Sequence, residues 1–114
     1  MRVISQDGTI DVPYKLTSIQ LVSKTTIIAQ GSYFGSSSDD NFVTVAEYST
    51  EEKAIKAMEM LRDQYKRLEV FKVLASGAVE HIGKTLKNDE LVEYNQAYRD
   101  MNVFQFPQDD EIEV

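Results

Sequence analysis

The chain has no cysteine, a single histidine and no apolar run that approaches the length of a membrane span. The absence of cysteine excludes disulfides, thiolate metal ligands and a cysteine nucleophile, and it is typical of a cytosolic protein. A transmembrane helix needs roughly 20 predominantly apolar residues. We therefore expect a soluble intracellular protein without a membrane partner, and we expect His81 to be a surface or helix-end residue rather than a zinc ligand.

Positive charge is also scarce, because 12 lysines and arginines stand against 19 acidic residues and give a net charge of −7. Four of the acids fall in the last six positions, so we predict a single domain over 1–107 and a solvated acidic tail at 108–114. Nucleic-acid-binding surfaces normally carry a basic patch, so duplex nucleic acid is not an expected partner. A small anionic ligand held by two or three arginines is compatible with this charge, because the local field matters more than the net charge.

The sequence carries no recognisable catalytic or cofactor-binding signature. The stretch 39–41 lacks the spacing of a calcium-binding EF-hand loop, and Gly31 and Gly35 do not belong to a phosphate-binding loop. The residues around His81 offer no nucleophile and no orienting group. We predict a protein that is not an enzyme and that holds no cofactor and no metal.

What the sequence does contain begins at its first residues, with the string MRVISQDGTIDVPY. Its apolar alternation around Asp-Gly predicts a β-hairpin over 2–12, which leaves no room for a signal peptide. We favour a three-residue loop with Gly8 in the left-handed conformation, which pairs Ile4 with Ile10. A two-residue Asp-Gly turn would instead set Ile4 opposite Asp11, and a one-residue slip of this kind turns every side chain to the other face.

The rest of the chain predicts an α+β fold. Stretches rich in β-branched residues predict a second hairpin over 17–30, a strand at 42–48 and a short strand at 102–106. Helical patterns cover about 50–75 and 88–100. We expect one antiparallel sheet of about five to six strands, with the two helices packed on one face or exchanged with a partner.

The segment 31–41 is the longest predicted loop, and it contains Tyr33 and Phe34. Long loops without internal structure are uncommon in compact domains and are usually functional or disordered. Two interpretations stay open. The loop is either a polar connector whose aromatics fold back onto the sheet, or an aromatic flap over a ligand or partner.

The first predicted helix begins with a capping box, in which Ser49 is the N-cap and Glu52 reaches back to it, and Gly77 interrupts the helix. After its first turns, the stretch 70–75 is apolar on more than one side. Because one sheet cannot cover both sides of a helix, either the last helix or a second copy of the chain must do so. We expect a homo-oligomer, a dimer or larger. The stripe predicted to face the sheet consists of Ala54, Ala57, Met58, Leu61, Tyr65 and Leu68.

The second helix carries residues suited to binding a nucleotide. Asn88 is a plausible N-cap, and aromatic and arginine side chains follow on the same helix. Aromatic faces stack on bases, arginine forks phosphate, and Asn or Asp reads hydroxyl groups. A structural role, such as a favourable helix-end charge at Arg99, is the alternative for each residue. The predicted ligand-binding residues are Phe71, Asn88, Tyr94, Tyr98, Arg99, Asp100 and Arg2.

Three strings together, MRVISQDGTIDVPY at 1–14, AEYSTEEKAIKAMEML at 46–61 and VFQFP at 103–107, resemble a family of short phage and prophage proteins of Gram-positive bacteria. Many members of that family have no assigned function. The layout of an N-terminal sheet followed by two helices is similar to that of the phage Thoeris anti-defence sponges.

The resemblance to these sponges implies that the protein binds and sequesters a cyclic ADP-ribose isomer without turning it over, and some sponges also bind cyclic oligonucleotides. It further implies a dimer or larger assembly with pockets near the subunit boundary, in the cytoplasm of the infected bacterium. The alternative is a protein-binding inhibitor or adaptor that acts through its acidic surface and tail.

Overall fold

The computed structural model describes residues 1–31, 42–85 and 88–114, with the backbone alone for 75–85, 88–92 and 94. The predicted loop residues 32–41, with Tyr33 and Phe34, and the side chain of His81 lie outside this description. The α+β class is confirmed. In chain order the elements are β1 (Arg2–Ile4), β2 (Asp11–Pro13), a 3₁₀ turn (Tyr14–Leu16), β3 (Ser18–Val22), β4 (Thr26–Gln30), β5 (Phe42–Glu47), α1 (Glu51–Thr85), α2 (Asn88–Met101), β6 (Val103–Gln105) and a 3₁₀ turn (Asp109–Glu111).

The described strands form two three-stranded sheets, so the prediction of one larger antiparallel sheet is wrong. One sheet has the order β2-β1-β6 and the other the order β3-β4-β5. Strand β6 runs parallel to β1, with Val3 opposite Phe104. Parallel neighbours need a long connection, and here it contains β2, the second sheet and both helices. The chain leaves the first sheet at Pro13, which cannot donate a ladder hydrogen bond, and turns directly into the 3₁₀ segment.

The first hairpin adopts the register that we did not favour. Ile4 lies opposite Asp11, and Val3 lies opposite Val12. Gly8 has a φ of 79°, as predicted. Both valines are almost fully buried, at 0% and 1% exposure. The favoured register would have set Asp11 beside buried Val3, and burying a charge there is costly.

The tip of this hairpin is organised by Asp7. Its carboxylate accepts hydrogen bonds from the Ser5 hydroxyl at 2.6 Å and from the Thr9 amide and hydroxyl at 3.0 and 2.7 Å. These hydrogen bonds, with Ser5 as the largest contributor, lower the pKa of Asp7 to about 2. The carboxylate that holds the tip therefore stays ionised at a lower pH than an ordinary aspartate does.

The two sheets are joined by Gln6. The ladder between β4 and β5 contains a bulge near Ile27 and Ile28. The Val45 carbonyl in the bulged strand accepts the Gln6 amide at 2.7 Å, and the Gln6 side-chain oxygen accepts the Glu47 amide at 3.0 Å. A bulge leaves one residue out of the ladder. Here the carbonyl of that residue, Val45, accepts a hydrogen bond from the first hairpin.

Helix α1 begins with a different cap from the one predicted. The Lys53 amide donates to the Thr50 hydroxyl at 3.2 Å, so Thr50, not Ser49, caps the helix. The helix also continues through Gly77 to Thr85 instead of ending at that glycine. A helical glycine costs only about 1 kcal/mol relative to alanine, which the surrounding helix-forming residues offset.

The predicted apolar stripe of α1 is confirmed. Ala54, Ala57, Leu61 and Leu68 are buried, and Met58 and Tyr65 are half-buried. Most of this stripe packs against a core supplied by both sheets. The largest side chains at less than 2% exposure include Phe106, Ile27 and Leu61. Neither helix, within the residues that the structure describes, combines the length and apolar content that crossing a membrane requires.

The C-terminal segment is acidic, but only part of it is solvated as predicted. Ile112 is only 5% exposed and belongs to the core. The Tyr48 hydroxyl donates to the Pro107 carbonyl at 2.8 Å, and burial raises the pKa of Tyr48, which keeps this donor protonated. The Asp109 carboxylate accepts the Ser49 amide at 2.7 Å and pairs with Lys53 at 3.1 Å. The tail therefore closes over the start of α1.

Candidate ligand-binding site

Three of the predicted ligand-binding residues, Arg2, Tyr98 and Arg99, line the same cleft. They meet because α2 ends at Met101 and the chain enters β6 beside β1 almost at once. The Arg2 amide donates to the Asn102 carbonyl at 2.7 Å, which holds the start of β1 against the end of α2. The cleft has a volume of about 350 Å³ and is lined by Met1, Arg2, Tyr98, Arg99, Asn102 and Val103.

Phe71 supports this cleft through Tyr98. The two ring centroids are 5.8 Å apart and the ring planes are inclined by 39°, a geometry typical of a favourable aromatic pair. Phe71 is half-buried, whereas Tyr98 is 37% exposed. Tyr98 therefore offers ring surface to a ligand while its position is supported from α1.

The charged residues of the site differ in their availability. The Arg2 guanidinium donates from Nε to Asp11 Oδ1 at 3.2 Å and forms a second hydrogen bond to Oδ2 of the same carboxylate. For Arg99, the part of the chain that the structure describes shows no ion pair. Arg99 is therefore the arginine of the cleft best placed to bind an anionic group. The Arg2 guanidinium already donates hydrogen bonds to Asp11, so fewer of its donors remain for a ligand.

The other predicted residues do not join the cleft. Asp100 is exposed, accepts a hydrogen bond from the Gln96 side-chain amide at 2.9 Å, and is absent from the cleft lining. Such pairs one helical turn apart are ordinary features of a helix surface. The side chains of Asn88 and Tyr94 lie outside the described residues; Asn88 is the first residue of α2.

Two positioning residues were missed from the sequence. The Asn102 side-chain amide donates to the Tyr98 carbonyl at 2.8 Å and closes the end of α2. The Gln64 side-chain amide donates to the Val103 carbonyl at 2.6 Å and the Met101 carbonyl at 3.3 Å, so α1 holds the junction of α2 and β6. Each had a signal: asparagine is favoured just after a helix, and Gln64 is a polar residue beside the apolar stripe.

An apolar groove adjoins the cleft. Val70, Val73 and Leu74 are 58%, 70% and 69% exposed, so the described part of α2 covers the apolar stretch at 70–75 only incompletely. Exposed neighbouring apolar side chains of this kind mark interaction surfaces. The groove has a volume of about 370 Å³ and is lined by Lys66, Arg67, Val70, Phe71, Leu74 and Met101.

A second and larger cleft, of about 570 Å³, lies between the first 3₁₀ turn, β3 and α1. No local pattern in the sequence predicts that these residues lie together, because they come from separate elements. Among the residues whose side chains the structure describes, no group of three histidine or acidic side chains could hold a metal ion.

The chemistry available at the Arg2–Tyr98–Arg99 cleft is stacking, one available guanidinium and several backbone and amide hydrogen-bonding groups. This combination suits the binding of an aromatic anion. Comparison with known proteins finds no match to the chain among protein-family models, curated proteins or solved structures.

Proposed function

We propose that the protein is a phage anti-defence sponge, which binds a cyclic nucleotide immune signal in the cytoplasm of the infected bacterium and holds it without turnover. The signal is a cyclic ADP-ribose isomer or a cyclic oligonucleotide. The observation that supports the proposal is the convergence of Arg2, Tyr98 and Arg99 on one cleft, with Phe71 against Tyr98. Tyrosine stacks on a base and arginine forks a phosphate.

The size and surroundings of the cleft favour a site completed by a second copy of the chain. A volume of about 350 Å³ lies at the small end of ligand pockets, and such pockets usually enclose most of their ligand. Phe71 contacts Tyr98 of the cleft and also lines the apolar groove. A copy docked on Val70, Val73 and Leu74 would therefore stand beside the cleft and enclose the ligand further.

Ligand binding is tested with the purified chain and a panel of cyclic ADP-ribose isomers and cyclic di- and trinucleotides. A ligand at 100 times its dissociation constant should stabilise the folded protein by about 2.7 kcal/mol, which is measurable as a rise in melting temperature. Arg99→Gln should weaken binding about tenfold or more, because a charged hydrogen bond contributes about 1.5–3 kcal/mol.

The control for Arg99→Gln is Lys56→Gln, which removes an exposed positive charge from α1 outside both clefts. It should leave the affinity unchanged. An absence of any thermal shift across the panel would overturn the proposal. Recovery of chemically altered ligand after binding would contradict the sponge mechanism, since a sponge returns its ligand intact when it is denatured.

Assembly is tested by analytical ultracentrifugation of Val70→Glu/Leu74→Glu, which changes two exposed residues that line the groove. The two charges should dissociate the oligomer, because burying unpaired carboxylates in an apolar contact is costly. Ile55→Glu is the matched control, since Ile55 is also exposed, at 41%, on the same helix but outside the groove. A wild-type chain that stays monomeric at high concentration would rule out the completed site.

The alternative is a protein-binding inhibitor or adaptor that acts through its acidic surface. Asp110 and Glu113 are the exposed tail acids that could serve it, since neither has a side-chain partner among the described contacts. Deletion of 108–114 does not test this alternative, because it also removes Ile112 from the core and Asp109 from Ser49 and Lys53. Asp110→Asn/Glu113→Gln removes the charge and keeps those contacts. Loss of anti-defence activity in this variant, with ligand binding intact, would favour the alternative.

A further inference from the structure

We propose that the cleft of about 570 Å³ is a second ligand site, independent of the cyclic nucleotide site, and that it takes a small aromatic ring carrying one phosphate group, of the size of a nucleoside monophosphate. The inference goes beyond the proposed function, because it concerns a different face of the chain and a different ligand. The cleft is lined by Tyr14, Lys15, Thr17, Ile19, Met58, Leu61, Arg62 and Tyr65.

One wall of the cleft is aromatic and is fixed in place before any ligand arrives. The ring centroids of Tyr14 and Tyr65 are 4.5 Å apart, with the planes inclined by 36°. Tyr14 is held by its amide, which donates to the Met1 carbonyl at 2.9 Å. The Thr17 hydroxyl donates to the Pro13 carbonyl at 2.6 Å and fixes the turn that carries Tyr14. A wall that does not have to be ordered on binding lowers the entropic cost of association.

Apolar side chains continue this aromatic wall. Leu61 is 1% exposed and belongs to the core, and Ile19 and Met58 are half-buried against that core. Ligand pockets are mostly apolar and fix orientation with a few polar groups. A planar ring is therefore suited to this surface, and methionine adapts readily to its outline.

The charged side chains that line the cleft are both cationic. Lys15 and Arg62 are exposed, and among the side chains that the structure describes no acidic one lines the cleft. Within the described side chains neither forms an ion pair, whereas Arg2, Lys53 and Lys72 each pair with a carboxylate. In a chain with a net charge of −7, two cations beside an aromatic pair and no lining acid form a local site for an anion.

The ligand must supply both groups that the cleft receives. The apolar and aromatic surface selects a ring, and the guanidinium of Arg62 with the ammonium of Lys15 selects an anion. Adenosine supplies only the ring, and inorganic phosphate supplies only the charge. Adenosine 5′-monophosphate supplies both, so it should bind more tightly than either part.

The test is an NMR titration of the ¹⁵N-labelled full chain with adenosine 5′-monophosphate, adenosine and inorganic phosphate as separate probes. The monophosphate should shift the amide signals of Lys15, Thr17 and Arg62. Arg62→Gln should weaken this binding about tenfold or more, the effect expected for one charged hydrogen bond. Lys56→Gln, on the same helix and outside the cleft, should leave it unchanged.

Tyr65→Leu should weaken the monophosphate and adenosine alike, because it removes ring contact and not charge. If Tyr65→Leu fails to fold, the Arg62→Gln titration still tests the proposal. The proposal is overturned if the monophosphate causes no shift at millimolar concentration, or if Arg62→Gln binds it as well as the wild type. It is also overturned if phosphate or adenosine alone binds as tightly. The cyclic nucleotide proposal is judged separately, from shifts at Arg99 and Asn102.

Discussion

The base of the molecule (residues 1–31, 42–68 and 103–114) and its arm (69–85 and 88–102) share helix α1 but bury its apolar side chains very differently. In the base, Leu61 and Leu68 are 1% and 0% exposed. In the arm, Val73 and Leu74 on the same helix are 70% and 69% exposed. The long dimension of the molecule, 51 Å, matches the length of about 52 Å expected for a 35-residue helix.

This contrast distinguishes the part of the chain that is closed by long-range contacts from the part that exposes an apolar surface. The base is closed by long-range hydrogen bonds, such as Gln6 to Val45 and Tyr48 to Pro107, and by burial of Ile112. The arm supplies the exposed apolar groove and the last turn of α2 that carries Tyr98 and Arg99. Regions with few buried contacts are the ones that open and rearrange at low cost, and binding surfaces are drawn from them.

The largest expected effect is a difference in stability between two leucine-to-alanine substitutions on α1, one in the base and one in the arm. Leu61→Ala should lower the free energy of unfolding by about 2–5 kcal/mol, because it leaves a cavity in a packed core. Leu74→Ala should change the stability of the isolated chain by less than about 0.5 kcal/mol, since Leu74 is largely exposed. Urea denaturation of both variants below the concentration of assembly measures the difference. Equal losses would mean that the arm is as tightly packed as the base.

The pH dependence of stability should also arise from residues of the base. Hydrogen bonds from the Ser49 amide and Lys53 hold the pKa of Asp109 below its usual value of 3.8, and that of Asp7 is lowered to about 2. A carboxylate whose folded-state pKa is lowered stabilises the fold above its unfolded-state pKa and loses that contribution as the pH falls. The melting temperature should therefore drop as the pH falls from about 4 towards 2.

Asp109→Asn isolates one part of this pH effect. The variant should melt at a lower temperature than the wild type near neutral pH, and the difference should narrow in acid as the wild-type carboxylate becomes protonated. Asp63→Asn, which changes an exposed aspartate on α1, is the control and should leave the melting temperature nearly unchanged. A difference for Asp109→Asn that stays constant with pH would contradict the role assigned to its charge.

The sequence predicted the parts of the fold that depend on nearby residues. The apolar stripe of α1 and the left-handed Gly8 follow from spacing and turn chemistry within a few positions. The parts that were wrong depend on residues far apart. Nothing local indicates that β6 pairs with β1. Nothing local indicates either that the Ser49 amide donates to Asp109 instead of taking part in the predicted capping box. The core position of Ile112 is of the same kind, since an acidic neighbourhood alone indicates solvent.

The candidate site shows the same division. Tyr98 and Arg99 are consecutive on α2, so the sequence alone predicts that they lie close together, but their shared cleft also needs Met1 and Arg2 beside them. The pairing of Arg2 with Asp11 could not, because it depends on the hairpin register. In the register that we favoured these two side chains would point to opposite faces, and in the observed register they share one. The Tyr14–Tyr65 contact joins two distant segments and has no local signal.

The smallest expected effect lies in a turn of the base and should leave the arm untouched. Ser23 and Lys24 have φ values of 51° and 70°, a left-handed conformation that costs a non-glycine residue about 1–2 kcal/mol. Ser23→Asn/Lys24→Gly places the residues that such hairpin turns prefer. Because glycine also loses about 0.5–1 kcal/mol of backbone entropy, the net gain should stay below about 1 kcal/mol.

Thr25→Gly, next in the chain and without a positive φ, should instead destabilise the protein by a similar amount. Both variants should sediment like the wild type, because the arm is unchanged. A lower melting temperature for the double variant would show that this turn is not strained.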